Sequence, residues 1–224
     1  MWKGMFGQKK MKTNEREKKR MLDKQEYDDL RAGIGGDRAS ELQINYYYDT
    51  ETEYFKNHNI TCRIRQKNQR LVGTVKRHGA DGQEEHSVEQ SFFVKKLPQS
   101  LEVDGQRAYL KGCLITERIE VVLSANAVLF LDKNSYLGET DYELEIEYEK
   151  GHEGTAEGVM LLLDKLMLPK PTLSRVMSKS DRFFCVLSGL SDQVTTKPKN
   201  SGTDPDAYML REVATNKGES HGRI

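Results

Sequence analysis

The chain has few of the features that mark disulfide-rich, zinc-binding or membrane proteins. Its 224 residues include three cysteines, at positions 62, 113 and 185, and no two of them form a CxxC pair. This argues against a disulfide framework or a zinc site and fits a reducing compartment. No apolar run is long enough for a signal peptide or a membrane-spanning helix. We therefore expect a cytoplasmic protein with no membrane partner.

An excess of charge of one sign is also absent. The 35 basic residues balance the 35 acidic ones, so the formal net charge is zero. Nothing in the total charge therefore points to a nucleic-acid partner. Hydrophobic residues make up 36% of the chain and charged residues 31%, which is polar for a globular protein but outside the disordered class. A chain of this length can form one sizeable domain with its own core.

Short motifs of nucleotide-binding and hydrolytic sites are missing as well. The glycine-rich stretch at 33–36 lacks the Lys-Ser/Thr of a phosphate-binding loop, and we interpret it as the end of a helix. None of the five histidines stands in an HExxH or similar ligand pair. No GxSxG sequence marks a nucleophilic serine. The charged residues are the remaining candidates for chemistry.

The chain does contain charged residues that alternate along predicted strands. In residues 15–19 and 143–147, the two-residue period of a strand places several carboxylates on one face. Two such charges about 5 Å apart repel by roughly 3 kcal/mol at an effective dielectric of about 20. A divalent cation bound by oxygen ligands would remove that cost, whereas a solvated polar face is the simpler alternative. The shared faces carry Glu15, Glu17 and Lys19 in the first segment and Glu143, Glu145 and Glu147 in the second.

Three further segments alternate in the same way but carry basic residues. Residues 61–67, 71–76 and 114–121 are each polar on one face and apolar on the other. Acidic and basic strands that face a shared interior would form a site for a metal bound to a polyanion. The basic side chains on these polar faces are Arg63, Arg65, Lys67, Lys76 and Arg118.

The order of these residues resembles the CYTH domain, also called the triphosphate tunnel metalloenzyme family. The segment from Glu15 to Lys19 matches the ExExK signature of that family, and the likeness extends over roughly residues 13–187. The ordered set of matches carries the resemblance, rather than the five-residue signature alone. The other matching positions are Tyr48 to Thr50, Arg63, Arg65, Lys76, Glu85 to Glu89, Arg118, Gly138, Glu143 to Glu145, Ser178, Lys179 and Arg182.

The strand pattern and the resemblance predict the same fold. The class is α+β, mainly antiparallel β, with a closed eight-stranded tunnel-like barrel, a charged interior and a few outer helices. We expect a basic N-terminal lead-in at 1–12, the CYTH-like domain at 13–190 and a mobile polar tail at 191–224.

Local signals refine this prediction. A helix is predicted at 23–32, with Asp23 as its N-cap, and an apolar-rich helix within 151–168. The outward positions of the first strand are Arg16 and Lys18, where many relatives carry apolar residues. We therefore expect the outer face of that strand to be exposed, with no helix packed on it.

The resemblance also implies roles for the charged residues. The acidic rows would bind Mg²⁺ or Mn²⁺, which oxygen ligands favour over zinc. The basic residues would hold the oxygens of a small-molecule triphosphate, the expected substrate. The implied metal ligands are Glu15, Glu17, Glu143, Glu145 and, as a further ligand, Glu147. The implied substrate-binding residues are Arg63, Arg65, Lys76, Arg118, Lys179 and Arg182.

Three other residues are candidates for the chemical step. Glu85 and Glu89 share a face of one predicted strand, where one of them would bind or orient a second metal and the attacking water. Lys19 lies one step beyond the metal carboxylates and would contact the substrate or orient Glu17. For Arg182 the alternative is an exposed charge at the end of a helix.

Three functions are compatible with this pattern. The first is metal-dependent hydrolysis of a linear triphosphate, either inorganic or carried on a small organic group. The second is an adenylyl cyclase of class IV type, but such cyclases often carry His-Phe just before ExExK, where this chain has Lys12-Thr13-Asn14. The third is a non-catalytic polyphosphate-binding module, which would need only the basic residues. The nearly complete acidic set argues against this third function, and the absence of His-Phe favours hydrolysis over cyclisation.

Overall fold

The computed structural model describes residues 10–11, 15–34, 38–77, 88–166 and 177–195. The chain divides into two units, Met1–Leu187 and Ser188–Ile224, and almost all of the described residues belong to the first. Within the described ranges the helices are α1 (Lys24–Gly33), α2 (Tyr54–Asn57), α3 (Glu153–Leu166) and α4 (Lys179–Thr195). The strands are β1 (Lys10–Met11), β2 (Glu15–Leu22), β3 (Glu41–Asp49), β4 (Ile60–Lys67), β5 (Arg70–Arg77), β6 (Val88–Val94), β7 (Ser100–Val103), β8 (Gln106–Ser124), β9 (Ala127–Tyr136) and β10 (Glu139–Glu149).

In the part of the chain that the structure describes, ten strands form one antiparallel sheet. Its order is β1-β6-β5-β4-β3-β8-β9-β10-β2, and β7 lies beside this path, paired with β8. Strand β1 has two residues and β7 has four. Setting these two aside leaves eight longer strands from the ten. The predicted class, mainly antiparallel β with a few helices, is confirmed.

The strands at the two ends of the sheet order, β1 and β2, are close together in the sequence. Strand β1 pairs with β6 at one edge, and β2 pairs with β10 at the other. The end of β1 at Met11 and the start of β2 at Glu15 are separated by at most about 14 Å of extended chain. Among the described residues no strand pairing joins β1 to β2, so the sheet is not closed there.

One face of the sheet is apolar and carries the core. Alternate residues of β8, β9 and β10 pack with α1 and α3, because the period of two turns their apolar side chains to that face. A second cluster lies on the same face of β3, β4 and β5, around Tyr48, Cys62, Ile64 and Val75. The core around β10 includes Leu22, Tyr27, Ile119, Leu129, Leu131, Leu144, Ile146, Ala156 and Leu163.

A tight hairpin sets the register of β9 and β10. Leu137 and Gly138, between β9 and β10, both have positive φ, 49° and 87°. Two such residues are typical of a type I′ turn, whose twist matches that of the flanking strands. The resulting register places Asp132 of β9 directly opposite Glu143 of β10.

Helix α1 begins and ends where the sequence predicts. The Asp23 carboxylate accepts a hydrogen bond from the Glu26 backbone N–H at 2.8 Å, and the Glu26 carboxylate accepts one from the Asp23 N–H at 2.7 Å. This reciprocal capping box satisfies two backbone donors that would otherwise have no partner in the helix. The helix ends at Gly33, as the glycine-rich stretch indicates.

Helix α3 corrects the expectation for the outer face of the first strand. The Lys18 ammonium contacts the Glu157 carboxylate at 3.2 Å, and Arg16 contacts Glu153 at 3.5 Å. Both acidic residues belong to α3. The charged outward positions of β2 therefore face a helix that carries the complementary charge, and the prediction of an exposed strand without a helix is wrong.

Helix α4 lies on the polar face of the sheet, opposite α1 and α3. Phe183 and Phe184 pack against Tyr47, Leu114 and Tyr136, which occupy polar-face positions of β3, β8 and β9. The prediction of outer helices therefore holds for α1 and α3 but not for α4.

The tail prediction is largely outside the described residues. The backbone of α4 is helical to Thr195, which is five residues into the predicted tail, whereas residues 196–224 are not described. None of the described helices has the length and apolar content to cross a membrane.

Candidate active site

The polar face of the sheet brings most of the predicted charged residues together. They alternate with the core residues along β2, β4, β5, β8 and β10, so each of these strands contributes one or more of them to the same side. Cross-strand pairing then fixes which side chains are neighbours: Glu145 is opposite Lys19, and Glu147 is opposite Glu17. The Glu15 backbone pairs with that of Glu149, and the Glu15 side chain lies outside the described part of the structure.

Three carboxylates form the centre of this face, and we call them the acidic cluster: Asp132, Glu143 and Glu145. One oxygen from each lies within 4.8 Å of the others. The three residues are 0%, 0% and 5% exposed. Burial disfavours ionised carboxylates unless positive charge compensates them. Burial raises the pKa of Glu145 despite the opposing charges of Lys19 and Arg118.

Arg118 of β8 supplies part of that compensation. Its Nε donates to Asp132 Oδ1 at 2.8 Å, and its Nη2 donates to Asp132 Oδ2 at 2.6 Å and to Glu145 Oε2 at 2.5 Å. The guanidinium also lies 4.0 Å from the centre of the Phe130 ring. Burial lowers the pKa of Arg118, but Asp132 and Glu145 raise it by more, so the guanidinium stays charged.

Lys179, at the first turn of α4, places its ammonium among all three carboxylates. The Nζ atom is 2.9 Å from Asp132 Oδ2 and 3.0 Å from Glu145 Oε1, and it also contacts Glu143. Burial lowers its pKa to about 7, despite the opposing effect of Asp132. Burial acts to raise the pKa of Asp132, but the charges of Lys179 and Arg118 hold it below its usual value.

Arg182, one turn further along α4, is also paired with carboxylates. Its Nε donates to Asp141 Oδ2 at 2.8 Å, and its Nη2 donates to Glu143 Oε2 at 2.9 Å. Its Nη1 donates to the Met177 carbonyl at 2.8 Å. These bonds attach α4 to β10. The guanidinium is largely buried, with 11% of the side chain exposed, so the alternative of an exposed helix-end charge is wrong.

Lys19 lies beside the acidic cluster on the neighbouring strand. Its ammonium contacts Glu17 and is 3.5 Å from Glu145 Oε1. This position agrees with the predicted orientation of Glu17 by Lys19. Glu17 and Glu147 share the polar face next to it, as their cross-strand pairing requires.

Strand β4 carries two further basic residues of the polar face, Arg63 and Arg65, which we call the arginine pair. The largest cause of the lowered pKa of Arg65 is the charge of Arg63, followed by burial. Arg65 Nε donates to the Asn45 side-chain oxygen at 2.9 Å. Arg63 Nε is buried and has no hydrogen-bond partner among the described residues. Within those residues no carboxylate forms an ion pair with either guanidinium.

Of the remaining predicted residues, the structure describes Lys76 and the backbone of Glu89. Lys76 of β5 is opposite Glu89 of β6 in the sheet. The Glu89 side chain and the whole of Glu85 fall outside the described residues, so their roles stay predictions.

The structure adds polar-face residues that the sequence analysis did not single out: Asn45, Asp132, Asn134 and Asp141. Asn134 donates to Asp141 at 2.9 Å and to Glu143 at 3.3 Å, and it accepts a hydrogen bond from Thr116 at 2.8 Å. A signal was present for β9, because Asp132 and Asn134 interrupt an apolar run at alternate positions. Only the register of β9 with β10 places Asp132 in the acidic cluster.

Fold and site together define a class of protein: an antiparallel sheet with one strongly charged face, which carries both clustered carboxylates and paired guanidinium groups. Residues 13–175 match the sequence model of the CYTH domain, which is more than half of the chain. The chain belongs to the CYTH-domain family.

Individual relatives agree with this assignment. The chain is 30% identical over 165 residues to YjbK of Bacillus subtilis (strain 168), to which a triphosphatase activity is attributed; the match covers 68% of this chain and 86% of that one. A crystal structure from Bacillus halodurans, of a protein assigned as an adenylate cyclase, is similar with a TM-score of 0.59 and 24% identity over 77% of this chain and all of that one. HpAC1 from Hippeastrum, described as having a dominant triphosphatase activity, has a TM-score of 0.54 and 17% identity over 77% of this chain and 95% of that one. The two structures establish likeness of fold.

Proposed function

We propose that the polar face is the active site of a divalent-metal-dependent hydrolase that cleaves a linear triphosphate, either inorganic or carried on a small organic group. One observation carries the proposal: the acidic cluster and an arginine pair that has no carboxylate ion-pair partner among the described residues lie on the same face of one sheet. Carboxylates alone would suit a cation, and guanidinium groups alone would suit an anion. A metal bound to a polyphosphate needs both.

The donor set fits Mg²⁺ or Mn²⁺. Asp132, Glu143 and Glu145 offer only carboxylate oxygens, within 4.8 Å of one another, and such hard donors suit these ions. Glu15, Glu17 and Glu147, on the same strands or their neighbours, are proposed as further ligands. A bound metal would supply charge neutralisation at the phosphate oxygens, which lowers the barrier to attack by water.

We propose different roles for the basic residues, according to the groups that each one contacts. The arginine pair and Lys76 lie on strands away from the acidic cluster, and we assign them the phosphate oxygens farthest from it. Arg118 and Lys179 contact the cluster itself, so they would hold the phosphate nearest to it. Arg182 would act chiefly by fixing α4 to β10. Glu85 and Glu89 keep the proposed role of orienting the attacking water.

We also propose that the sheet closes into a barrel through its N-terminal stretch. Strands β1 and β2 pair with opposite edges of the sheet and are only a few residues apart, which supports reading them as one interrupted strand. Hydrogen–deuterium exchange tests this. Slow exchange of backbone amides in both β1 and β2 is expected, and fast exchange in β1 would contradict closure.

Relatives support hydrolysis over cyclisation. A triphosphatase activity is attributed to YjbK, which is 30% identical to this chain, and HpAC1 combines the same fold with a dominant triphosphatase activity. The adenylate cyclase assignment of the Bacillus halodurans protein keeps cyclisation as the outcome to test against.

The decisive experiment is a substrate panel with product identification. Inorganic triphosphate, ATP and thiamine triphosphate are incubated with the full chain in excess chelator, then with Mg²⁺ or Mn²⁺ restored. We expect orthophosphate release from a triphosphate that stops in chelator and returns with metal. Cyclic AMP from ATP would establish the cyclase instead. Tight triphosphate binding with no product under any condition would indicate a binding module.

A further inference from the structure

Two arginines on the polar face share one local arrangement but differ in the partner of their Nε atom. Arg118 of β8 lies opposite Asp132 of β9, and its Nε donates to Asp132 Oδ1 at 2.8 Å. Arg65 of β4 lies opposite Asn45 of β3, and its Nε donates to Asn45 Oδ1 at 2.9 Å. The two pairs therefore differ in one group, since Asp132 has a carboxylate where Asn45 has a neutral amide.

This difference decides whether the positive charge of each arginine is balanced by a negative charge within the protein. The Asp132 carboxylate compensates the charge of Arg118 within the protein. The Asn45 amide holds Arg65 through the same nitrogen but carries no charge to oppose it. Repulsion by Arg63 adds to this, because it is the largest cause of the lowered pKa of Arg65. Since no carboxylate among the described residues forms an ion pair with the arginine pair, it keeps positive charge that an anion can neutralise.

Asn45 itself is buried in the middle of the sheet. Its side chain is 1% exposed, at a central position of β3 between β4 and β8. With Nε bonded to the amide oxygen, the two terminal nitrogens of Arg65 form a fork that has no carboxylate partner among the described residues. Such a fork is suited to bind two oxygens of one phosphate.

We propose that Asn45 is a positioning residue that orients Arg65 for phosphate and, by being neutral, reserves the charge of the arginine pair for the substrate. The inference deepens the function proposed above and rests on it. A carboxylate in place of the Asn45 amide would still accept the hydrogen bond from Arg65, but its negative charge would weaken the binding of an anion.

Two variants separate orientation from charge. Asn45→Asp keeps the volume and the acceptor oxygen but adds a negative charge beside Arg65. Asn45→Ala removes the acceptor and adds no charge. Asn59→Asp is the matched control, because it places the same new charge on the exposed turn before β4, at a positive φ of 54° that aspartate also adopts. Circular dichroism verifies the fold of each full-length protein.

The measurement is the dissociation constant of inorganic triphosphate by calorimetry, at several salt concentrations, alongside kcat and KM. We expect Asn45→Asp to weaken binding by at least ~10-fold and to make the salt dependence shallower, because the anion meets one positive charge fewer. Asn45→Ala should weaken binding by about 3- to 10-fold with the salt dependence of the parent protein. For both, KM should rise more than kcat falls, and Asn59→Asp should resemble the parent.

The outcomes separate this inference from the function on which it rests. A parent protein that neither binds nor cleaves triphosphate would refute the proposed function. A parent protein that binds it, with Asn45→Asp showing the same affinity and salt dependence, would overturn only the role of Asn45. If Asn45→Asp fails to fold, the test falls to Asn45→Ala. An unchanged triphosphate affinity in that variant would likewise overturn only the role of Asn45. A merely structural role would lower stability in both variants without changing the salt dependence.

Discussion

At the scale of single residues, the polar face is organised by whether each charge has a protein partner. The acidic cluster is compensated by Arg118 and Lys179. The arginine pair has no carboxylate partner in the described part of the chain. Two like charges buried without a counter-ion are costly, which supports an anionic ligand at the arginine pair.

The central carboxylate of β9 gives a first prediction. Asp132→Asn preserves the volume and one acceptor oxygen but removes charge from the acidic cluster. Turnover should fall by at least ~100-fold, because phosphoryl transfer depends on the bound metal charge. The rise in melting temperature on adding Mn²⁺ should disappear with it.

The control for this variant is Asp104→Asn, at a position whose side chain is 53% exposed and paired with Arg77. It should keep both the turnover and the response to Mn²⁺. Normal turnover by Asp132→Asn would exclude Asp132 from the metal site.

Arg63 gives a second prediction that concerns substrate binding. Arg63→Met should raise KM for triphosphate by about 10- to 100-fold, since hydrogen bonds to charged groups contribute about 1.5–3 kcal/mol. Its free energy of unfolding should not fall, because the substitution removes the main source of repulsion on Arg65.

Steady-state kinetics and urea unfolding check both parts. Arg70→Met, at an exposed position of β5, is the control and should change neither quantity. A loss of stability with an unchanged KM in Arg63→Met would show that Arg63 is structural.

At the scale of elements, α4 combines two tasks that the other helices do not share. Its apolar residues pack on the polar face of the sheet, while Lys179 and Arg182 reach the acidic residues of β9 and β10. Phe183 is fully buried there, with its ring centre 5.0 Å from that of Tyr47. A Cβ at Gly112 would come within 2.9 Å of the Phe183 ring, so the strand and the helix pack closely.

Helix α4 therefore gives a third prediction. Phe183→Ala should destabilise the protein by about 3–5 kcal/mol, the usual cost of removing a buried aromatic ring. Turnover should also fall, because Lys179 and Arg182 depend on the same helix for their positions. Urea unfolding and initial rates measure the two effects.

Cys185→Ala is the matched control on the same helix, since Cys185 is exposed. It should leave stability and turnover near those of the parent protein. A Phe183→Ala variant of parent stability would show that α4 contributes little to the fold.

At the scale of the whole molecule, the first unit ends at Leu187 and contains every residue assigned to the site. A chain ending at Thr195 should therefore fold and keep its kcat/KM, with a melting temperature within about 4 °C of the parent. A chain ending at Ser178 removes α4 and should lose activity. Loss of activity in the longer truncation would place a functional role in residues 196–224.

Substrate length is a second property of the whole polar face. One end of that face is covered by the apolar packing of Phe183 with Tyr47 and Tyr136, which would not admit a chain of phosphates. We expect a higher kcat/KM for triphosphate than for pyrophosphate, which reaches fewer basic residues, or for long-chain polyphosphate. Comparison of the three substrates at equal metal concentration checks this. Pyrophosphate or long chains as the best substrate would contradict it.

Much of the fold follows from local sequence. Alternation in β2, β4, β5, β8 and β10 predicts both the strands and the face on which each charge lies, because the side-chain period of a strand is two. The Asp23 capping box and the glycines after it predict both ends of α1. The family could likewise be inferred from the order of charged residues, and the match over 13–175 confirms it.

The partners of those charges depend on the tertiary structure. Sequence alone determines that Glu143, Glu145, Arg63 and Arg118 share a polar face. It does not determine that Asp132 completes the acidic cluster or that Asn45 holds Arg65. Those contacts depend on the register between strands and on α4 packing on the polar face, and both are set by long-range packing rather than by local pattern.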